Sequence, residues 1–288
     1  MAQAAAKTGA GPTVMVAIEQ WFPSHRRILT DDLALSILPF GARAFVHAMR
    51  PFPIRDWMVR VTERTFPGLW SGIMCRKRFI DDAVVAASPE IDAIVNLGAG
   101  FDTRAYRLQS LAAIPVWEVD QPANIRSKQD GIRRRFGGVP PHVTLVPIDF
   151  DHEALEPALS SCGYAPTMRT FFIWEAVTQY LSETGIRSTL EFLATAAPGS
   201  RLAFTYVQKD FIDGRNLYDQ PRLYERYVKQ KIWLFGIDPR DVASFLEPYG
   251  WRVTAHAGCD DLAERFVKPT GRQLLSSPLE RIACAEKM

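Results

Sequence analysis

The sequence predicts an α/β protein built on a parallel, doubly wound sheet of about seven strands. From residue 91 onward, short apolar runs alternate with polar or amphipathic stretches, and the first of these runs ends in glycines. Buried parallel strands have this composition because helices cover both faces of the sheet. With 288 residues, the chain fits one large domain or a core that carries a sizeable helical extension.

Residues 1–90 contain no convincing strand and predict an N-terminal helical cap, which leaves 91–288 as the core. The expected helices are a short one between Asp31-Asp32 and Pro39, then Gly41–Met49, Ile54–Thr65 and Leu69–Ala87. We expect the Ala/Gly-rich segment Met1–Pro12 to be a frayed tail, because it lacks the pattern of a secretory or transit leader.

Seven apolar runs are the predicted strands of the core. In chain order they are Ala93–Leu97, Val116–Val119, Val143–Ile148, Thr170–Trp174, Leu202–Val207, Trp251–His256 and a last one near Arg281–Glu286. The predicted helices between them are Pro122–Phe136, His152–Ser161, Ser182–Ala197 and Asp238–Tyr249. After the fifth strand, a polar-aromatic stretch at 208–237 predicts a helical lid over the ligand site.

The composition excludes several classes of protein. With 47% apolar and 23% charged residues, the chain is neither disordered nor of low complexity. A formal net charge of +2 gives no reason to expect nucleic acid or an anionic membrane as a partner. The four cysteines are far apart and form no CxxC pair, so free thiols are expected and no metal site. Together these features predict a soluble, cytoplasmic protein.

Glycines and acids at the ends of the first two strands predict a nucleoside-binding site. Gly98 and Gly100 follow the first strand, and Asp120 ends the second strand 20 residues beyond Gly100. Glycines let the backbone approach a ligand closely, and a carboxylate at that distance can bind a ribose diol. The carboxyl ends of parallel strands meet at one edge, where open α/β sheets bind ligands.

The same edge favours a cofactor without phosphates. Thr103 stands where the dinucleotide fingerprint has its third glycine, so the loop has no evident need to hold a pyrophosphate. Asp149 can accept a hydrogen bond from the adenine amine, and Phe150 can stack beside the ring. We therefore predict S-adenosyl-L-methionine as cofactor. A nicotinamide-dependent oxidoreductase and a cofactor-binding protein without turnover are the alternatives.

Six segments resemble successive motifs of the leucine carboxyl methyltransferase-like family, which includes bacterial polyketide O-methyltransferases. They are Ile28–Leu38 (ILTDDLALSIL), Cys75–Val84 (CRKRFIDDAV), Val95–Leu108 (VNLGAGFDTRAYRL), Trp117–Pro122 (WEVDQP), Pro147–Phe150 (PIDF) and Trp174–Leu181 (WEAVTQYL). The resemblance covers about residues 16–286, and the order and spacing of the pieces carry it. It implies a Rossmann-like, seven-stranded class I methyltransferase sheet with an N-terminal helical cap.

By this resemblance, Gly98 contacts the methionine end of the cofactor, Asp120 the ribose hydroxyls, and Asp149 with Phe150 the adenine. Either Arg76 or Arg78 holds the cofactor carboxylate, a task suited to a bidentate guanidinium.

Glu175 follows the fourth strand, where the resemblance directs it to the cofactor amine or the substrate entrance. The family often has a glycine after this acid, where this chain has Ala176.

The expected activity is O-methylation of a hydroxyl or carboxyl oxygen on a small, polyketide-like or other secondary metabolite. A hydroxyl acceptor needs a base, and the candidates at strand ends are Glu175, Tyr180, Tyr206 and His256. The aromatic lid, which includes Tyr224 and Trp233, predicts a hydrophobic or aromatic acceptor.

Overall fold

The computed structural model describes residues 10–150 and 153–288, and within them the chain forms a seven-stranded sheet in the order β3-β2-β1-β4-β5-β7-β6. The strands are β1 (Ala93–Leu97), β2 (Val116–Asp120), β3 (Val143–Pro147), β4 (Thr170–Trp174), β5 (Arg201–Val207), β6 (Trp251–Gly258) and β7 (Glu280–Lys287). Each lies within two residues of a predicted strand, because short apolar runs bounded by turns mark buried strands clearly.

The sheet is mixed, whereas the sequence predicted a parallel one. Strands β1 to β5 pair in parallel, but β7 lies antiparallel between β5 and β6. Because β6 and β7 are antiparallel neighbours, the chain between them need not make a parallel crossover. The strand order reverses between β1 and β4, and ligands bind beside such a reversal in open α/β sheets.

Thirteen α-helices lie in the described residues. They are α1 (Ala10–Glu19), α2 (Ala34–Ile37), α3 (Phe40–Ala48), α4 (Phe52–Thr65), α5 (Leu69–Ala87), α6 (Arg104–Arg107), α7 (Pro122–Phe136), α8 (Leu155–Ser161), α9 (Glu183–Ala194), α10 (Lys209–Ile212), α11 (Pro221–Leu223), α12 (Val242–Leu246) and α13 (Cys259–Phe266). In these ranges, no helix is long and apolar enough to cross a membrane.

The region before β1 is helical, as predicted, and α5 has the predicted bounds. The Asp31 carboxylate accepts hydrogen bonds from the backbone N–H groups of Leu33 and Ala34 at 3.1 and 3.0 Å, which caps α2. The expected frayed tail Met1–Pro12 is wrong for its last three residues, because α1 begins at Ala10. Residues 1–9 lie outside the described part.

Two hydrophobic cores cover the two faces of the sheet. Ile94 of β1 and Ile173 of β4 pack with α5 and the preceding helices. Val95 and Phe172, one residue along the same strands, pack on the opposite face with α8 and α9. This alternation follows from the two-residue period of a strand. The helices before β1 therefore share a core with the sheet.

The lid differs from the continuous helical stretch that the sequence predicted. Only short pieces form between 208 and 237: α10, α11 and a π-helical turn at Tyr224–Val228. Tyr218, Asp219 and Lys231 have positive φ angles of 48°, 57° and 54°, which interrupt a right-handed helix. The predicted helix from Asp238 also starts later, at Val242.

Candidate functional site

A cavity of about 750 Å³ opens beside the carboxyl ends of β1, β2 and β4. The loops that follow these strands line one half of it, and the lid lines the other. Ligand-binding pockets have volumes of roughly 300–1,000 Å³ and occur at such strand-order reversals. The cavity is therefore the candidate active site.

The glycine loop after β1 requires its glycines. Gly98 has a φ of +72°, and a Cβ there would lie 2.3 Å from Val177 Cγ2 across the switch point. Gly100 has a φ of +44°, and its N–H donates to Asp120 Oδ2 at 2.6 Å. Both residues line the cavity with bare backbone. Any larger residue at position 98 would collide with Val177 and require the loop or that side chain to shift.

Asp120 is held firmly at the end of β2. Its Oδ1 accepts hydrogen bonds from the Gln121 N–H at 2.6 Å and from Asn124 Nδ2 at 2.7 Å. Phe150 lines the cavity beyond β3, but the adjacent Asp149 does not. The Asp149 N–H donates to Glu153 Oε1 at 3.0 Å.

Behind the glycine loop, two acids enclose the predicted Arg76. Its Nε donates to Glu175 Oε1 at 3.0 Å, and its Nη1 donates to both Glu280 oxygens at 2.9 and 2.7 Å. The Arg76 and Glu175 side chains are each 8% exposed. All three residues line the cavity, so the structure brings together two predicted residues and one that the sequence gave no reason to select.

The carboxylate of Glu175 also contacts two cations that the prediction missed. Lys77 Nζ lies 3.4 Å from Glu175 Oε1, and Arg104 Nη1 donates to Glu175 Oε2 at 2.8 Å. Burial would raise the pKa of Glu175, but Lys77, Arg104 and Arg76 together hold that pKa well below its ordinary value. A carboxylate whose pKa is lowered in this way is a weaker proton acceptor, which argues against Glu175 as the base.

Three other candidates do not line the cavity. Arg78 is two residues from Arg76 on α5, about 200° around the helix, and its Nε donates to Asp82 Oδ1 at 3.0 Å. Tyr206 points to the opposite face of β5 from Val207, which lines the cavity. The Tyr206 hydroxyl lies 2.7 Å from His256 Nε2 on β6. Tyr206 and His256 are therefore removed from the candidate bases.

Aromatic and aliphatic side chains line the half of the cavity next to the lid, together with four polar residues of the lid, Gln220, Arg226, Gln230 and Lys231. Tyr180 contacts Trp233 edge-on, with ring centroids 6.3 Å apart, and Tyr227 stacks on Trp233 at 4.9 Å. Leu223 of α11 lines the same half. Tyr224 packs against the buried Phe211 instead and does not line the cavity.

Ala176 has a φ of +58°, in the left-handed region that glycine adopts at little energetic cost. Its N–H donates to Thr205 Oγ1 at 2.8 Å, which holds this conformation. The turn therefore forms without the glycine that the family often has there.

Known proteins share the sequence and the fold of this chain. Residues 10–194 match the family model described as leucine carboxyl methyltransferase. A protein of Streptomyces coelicolor, named provisionally as an S-adenosyl-L-methionine-dependent methyltransferase, is 30% identical over 96% of this chain and 90% of its own length. A protein of Mycolicibacterium vanbaalenii with the same provisional name is 31% identical over 71% of this chain and 69% of its own.

Solved structures support the fold. A provisionally named methyltransferase from Thermobifida fusca has a TM-score of 0.60 at 14% identity, over 92% of this chain and 97% of that chain. A protein of the DUF574 family from Streptomyces avermitilis has a TM-score of 0.58 at 14% identity, over 82% and 92%. The family match spans more than half of the chain, and the chain therefore belongs to the leucine carboxyl methyltransferase family, as an S-adenosyl-L-methionine-dependent methyltransferase.

Proposed function

We propose that the protein transfers a methyl group from S-adenosylmethionine to a carboxyl or acidic hydroxyl oxygen of a small, largely apolar metabolite. One observation carries this proposal: a single cavity joins a charged half at the strand ends to an aromatic half under the lid. Two reactants held in one cavity react as if at very high concentration, which can lower the activation barrier by roughly 7–11 kcal/mol.

The strand-end half has the chemistry that the cofactor needs. Asp120 has a carboxylate at the cavity wall for the ribose hydroxyls, and Phe150 offers a ring face to the adenine. The bare backbone of Gly98 and Gly100 at the cavity wall lets a ligand approach this loop closely. Asp149 does not line the cavity, so a hydrogen bond from the adenine amine to its side chain would require the side chain to turn inward.

The amino-acid end of the cofactor needs a cation and an anion. We assign its carboxylate to Lys77 with Arg76, because Arg76 alone already pairs with Glu175 and Glu280. Lys77 lines the cavity, with its ammonium 3.4 Å from Glu175 and 3.9 Å from Asp102, and its flexible stem allows the charge to reach a ligand there. Glu175 would accept from the cofactor ammonium, since a carboxylate offers about four acceptor sites and three cations already contact this one.

When bound, S-adenosylmethionine supplies an electrophilic methyl group on a sulfonium. The chain's own contribution is to orient the acceptor and exclude water. Trp233, Tyr227, Tyr180 and Leu223 surround the acceptor half, and such rings favour a flat, apolar or aromatic molecule.

Of the predicted bases, Tyr180 alone lines the acceptor half, and the other possible proton acceptors favour an oxygen that is already ionised. Among the lining residues of the described ranges, none is a histidine, and the pKa of Glu175 is held low by its cations. Burial raises the pKa of the Cys259 thiol, which also lines the cavity, well above its ordinary value. A carboxylate, or a phenol or enol of low pKa, needs no base near neutral pH.

The test is methyl transfer from tritiated S-adenosylmethionine to a panel of aromatic carboxylates, acidic phenols and matched neutral alcohols. We expect product from the carboxylates or acidic phenols and none from the alcohols. Alkaline hydrolysis then separates the two oxygen types, because methyl esters release volatile methanol and aryl ethers do not. Cofactor binding without product across the panel and metabolite extracts would contradict the proposal and favour a binding protein without turnover.

A further inference from the structure

We infer that Arg104 is a positioning residue for the amino-acid end of the cofactor, although its own side chain does not line the cavity. It holds the two acids, Asp102 and Glu175, that do line it. This inference rests on the proposed assignment of Glu175 to the cofactor ammonium.

Arg104 begins α6 directly after the glycine loop, and its side chain is 2% exposed. Its Nη1 donates to Glu175 Oε2 at 2.8 Å and also to Asp102 Oδ2. The backbone N–H of Arg104 donates to Asp102 Oδ1 at 2.7 Å. One residue therefore fixes both oxygens of Asp102 and one oxygen of Glu175.

The remaining nitrogens of the guanidinium join this cluster to α5. Arg104 Nε donates to Asp81 Oδ1 at 2.6 Å, and Nη2 donates to the Lys77 carbonyl at 3.2 Å. Arg76 and Lys77, the two cations assigned to the cofactor carboxylate, lie on the same helix. Arg104 thus connects the loop after β1, the end of β4 and α5, which are the three elements around the amino-acid end.

The arrangement needs a guanidinium in particular. Burial raises the pKa of Asp102, and Arg104 and Lys77 outweigh that effect and lower it. Without Arg104, two buried acids would face each other across the site with less compensating charge. A planar fork with five N–H donors can hold several acceptors in fixed directions, whereas an ammonium on a flexible stem cannot. With Lys77 and Arg76, Arg104 therefore keeps Glu175 ionised, and its hydrogen bond directs the Glu175 carboxylate.

The test compares Arg104→Lys and Arg104→Met with wild type by calorimetric titration of S-adenosylhomocysteine and by thermal unfolding. Arg107→Met is the matched control. Arg107 Nη2 donates to Asp81 Oδ2 at 2.6 Å in the same network, but none of its contacts in the described residues reaches Asp102 or Glu175. We expect Arg107→Met to lower Tm and leave the Kd unchanged, and Arg104→Lys to weaken binding by about tenfold or more.

A double-mutant cycle shows whether Arg104 acts through Glu175. In a Glu175→Gln background, we expect Arg104→Lys to change the Kd by less than about threefold, because the partner is already altered. If Arg104→Lys changes the Kd equally in the wild-type and Glu175→Gln backgrounds, the inference is overturned. Wild-type affinity in Arg104→Lys would also overturn it. So would losses of Tm and of affinity that are alike in the Arg104 and Arg107 variants. If Arg104→Met does not fold, the Kd of the Arg104→Lys variant tests the inference by itself. Failure of the wild type to bind would instead refute the proposed function.

Discussion

Replacing Asp120 separates a ligand-binding role of this carboxylate from a structural one. Its oxygens accept three hydrogen bonds, from the Gly100 and Gln121 N–H groups at 2.6 Å each and from Asn124 Nδ2 at 2.7 Å. These contacts join the glycine loop to the start of α7. Asp120→Ala therefore disturbs the local structure and also removes the proposed ribose ligand.

The two effects appear in different measurements. Hydrogen bonds to a charged group contribute about 1.5–3 kcal/mol each to stability. In Asp120→Ala, water from the cavity can hydrogen-bond to some of the donors that lose the carboxylate, so the net loss is smaller than the sum. We expect Asp120→Ala to cost about 2 kcal/mol of stability, or roughly 3–4 °C in Tm for a chain of this length. The three protein contacts leave one acceptor site on the carboxylate, and loss of one bond from it to a ribose hydroxyl costs about 2 kcal/mol of binding, which weakens S-adenosylhomocysteine binding by roughly thirtyfold.

The assay is calorimetric titration with S-adenosylhomocysteine, alongside thermal unfolding of each variant. Asp120→Asn preserves shape but removes the charge, so we expect a smaller loss of Tm and at least about tenfold weaker binding. Asn124→Ala is the control, because it deletes one structural bond and leaves the carboxylate in place. A folded Asp120→Asn variant that binds within about twofold of wild type would refute the ribose assignment.

Four further outcomes are expected. Gly98→Ala brings a Cβ within 2.3 Å of Val177 and adds the strain of a left-handed conformation. Calorimetry should therefore detect no cofactor binding, and the free energy of unfolding should fall by about 2–4 kcal/mol. Tyr206→Phe should leave kcat unchanged in the methyl-transfer assay, because its hydroxyl contacts His256 away from the cavity; a large fall in kcat would return Tyr206 to the candidate bases. Trp233→Ala should lower acceptor turnover with little change in cofactor affinity, whereas Tyr224→Ala should lower only Tm; equal effects would indicate plain packing. The pKa of Glu175 is held below its ordinary 4.5, so its ion pairs stabilise the protein above that pH and are lost as pH falls through the lower folded pKa. The Tm difference between wild type and Glu175→Gln should therefore be constant from about pH 6 to 9 and shrink only in acid.

The strands were predictable because their signal is local. Ala93–Leu97 and Thr170–Trp174 are bounded as predicted, since apolar runs between turn residues need no tertiary information. The direction of β7 was not predictable, because nothing in its own residues distinguishes an antiparallel neighbour from a parallel one. The prediction of a continuous helical lid was wrong for a related reason. Tyr218 and Lys231 adopt left-handed backbone conformations, which local helix propensity does not indicate.

Within the site, the glycines and the acid that directly follow predicted strands were predictable. Side chains selected by three-dimensional contacts were not, even where they lie inside a recognised motif. Gly98, Gly100 and Asp120 follow predicted strands, so their meeting at one edge could be derived from topology. Lys77 contacts Glu175 from 98 positions away, and only the packing of α5 against the sheet shows this. The orientation of Tyr206 depends on strand register, where a shift of one residue changes the face.

The central claim is that this one cavity binds S-adenosylmethionine, and a direct titration of the purified wild-type protein tests it. We predict saturable binding of S-adenosylhomocysteine with one site per chain, and no competition from a nicotinamide dinucleotide. A folded protein that takes up no S-adenosylhomocysteine at about millimolar concentration, or that binds the dinucleotide in its place, would contradict the claim.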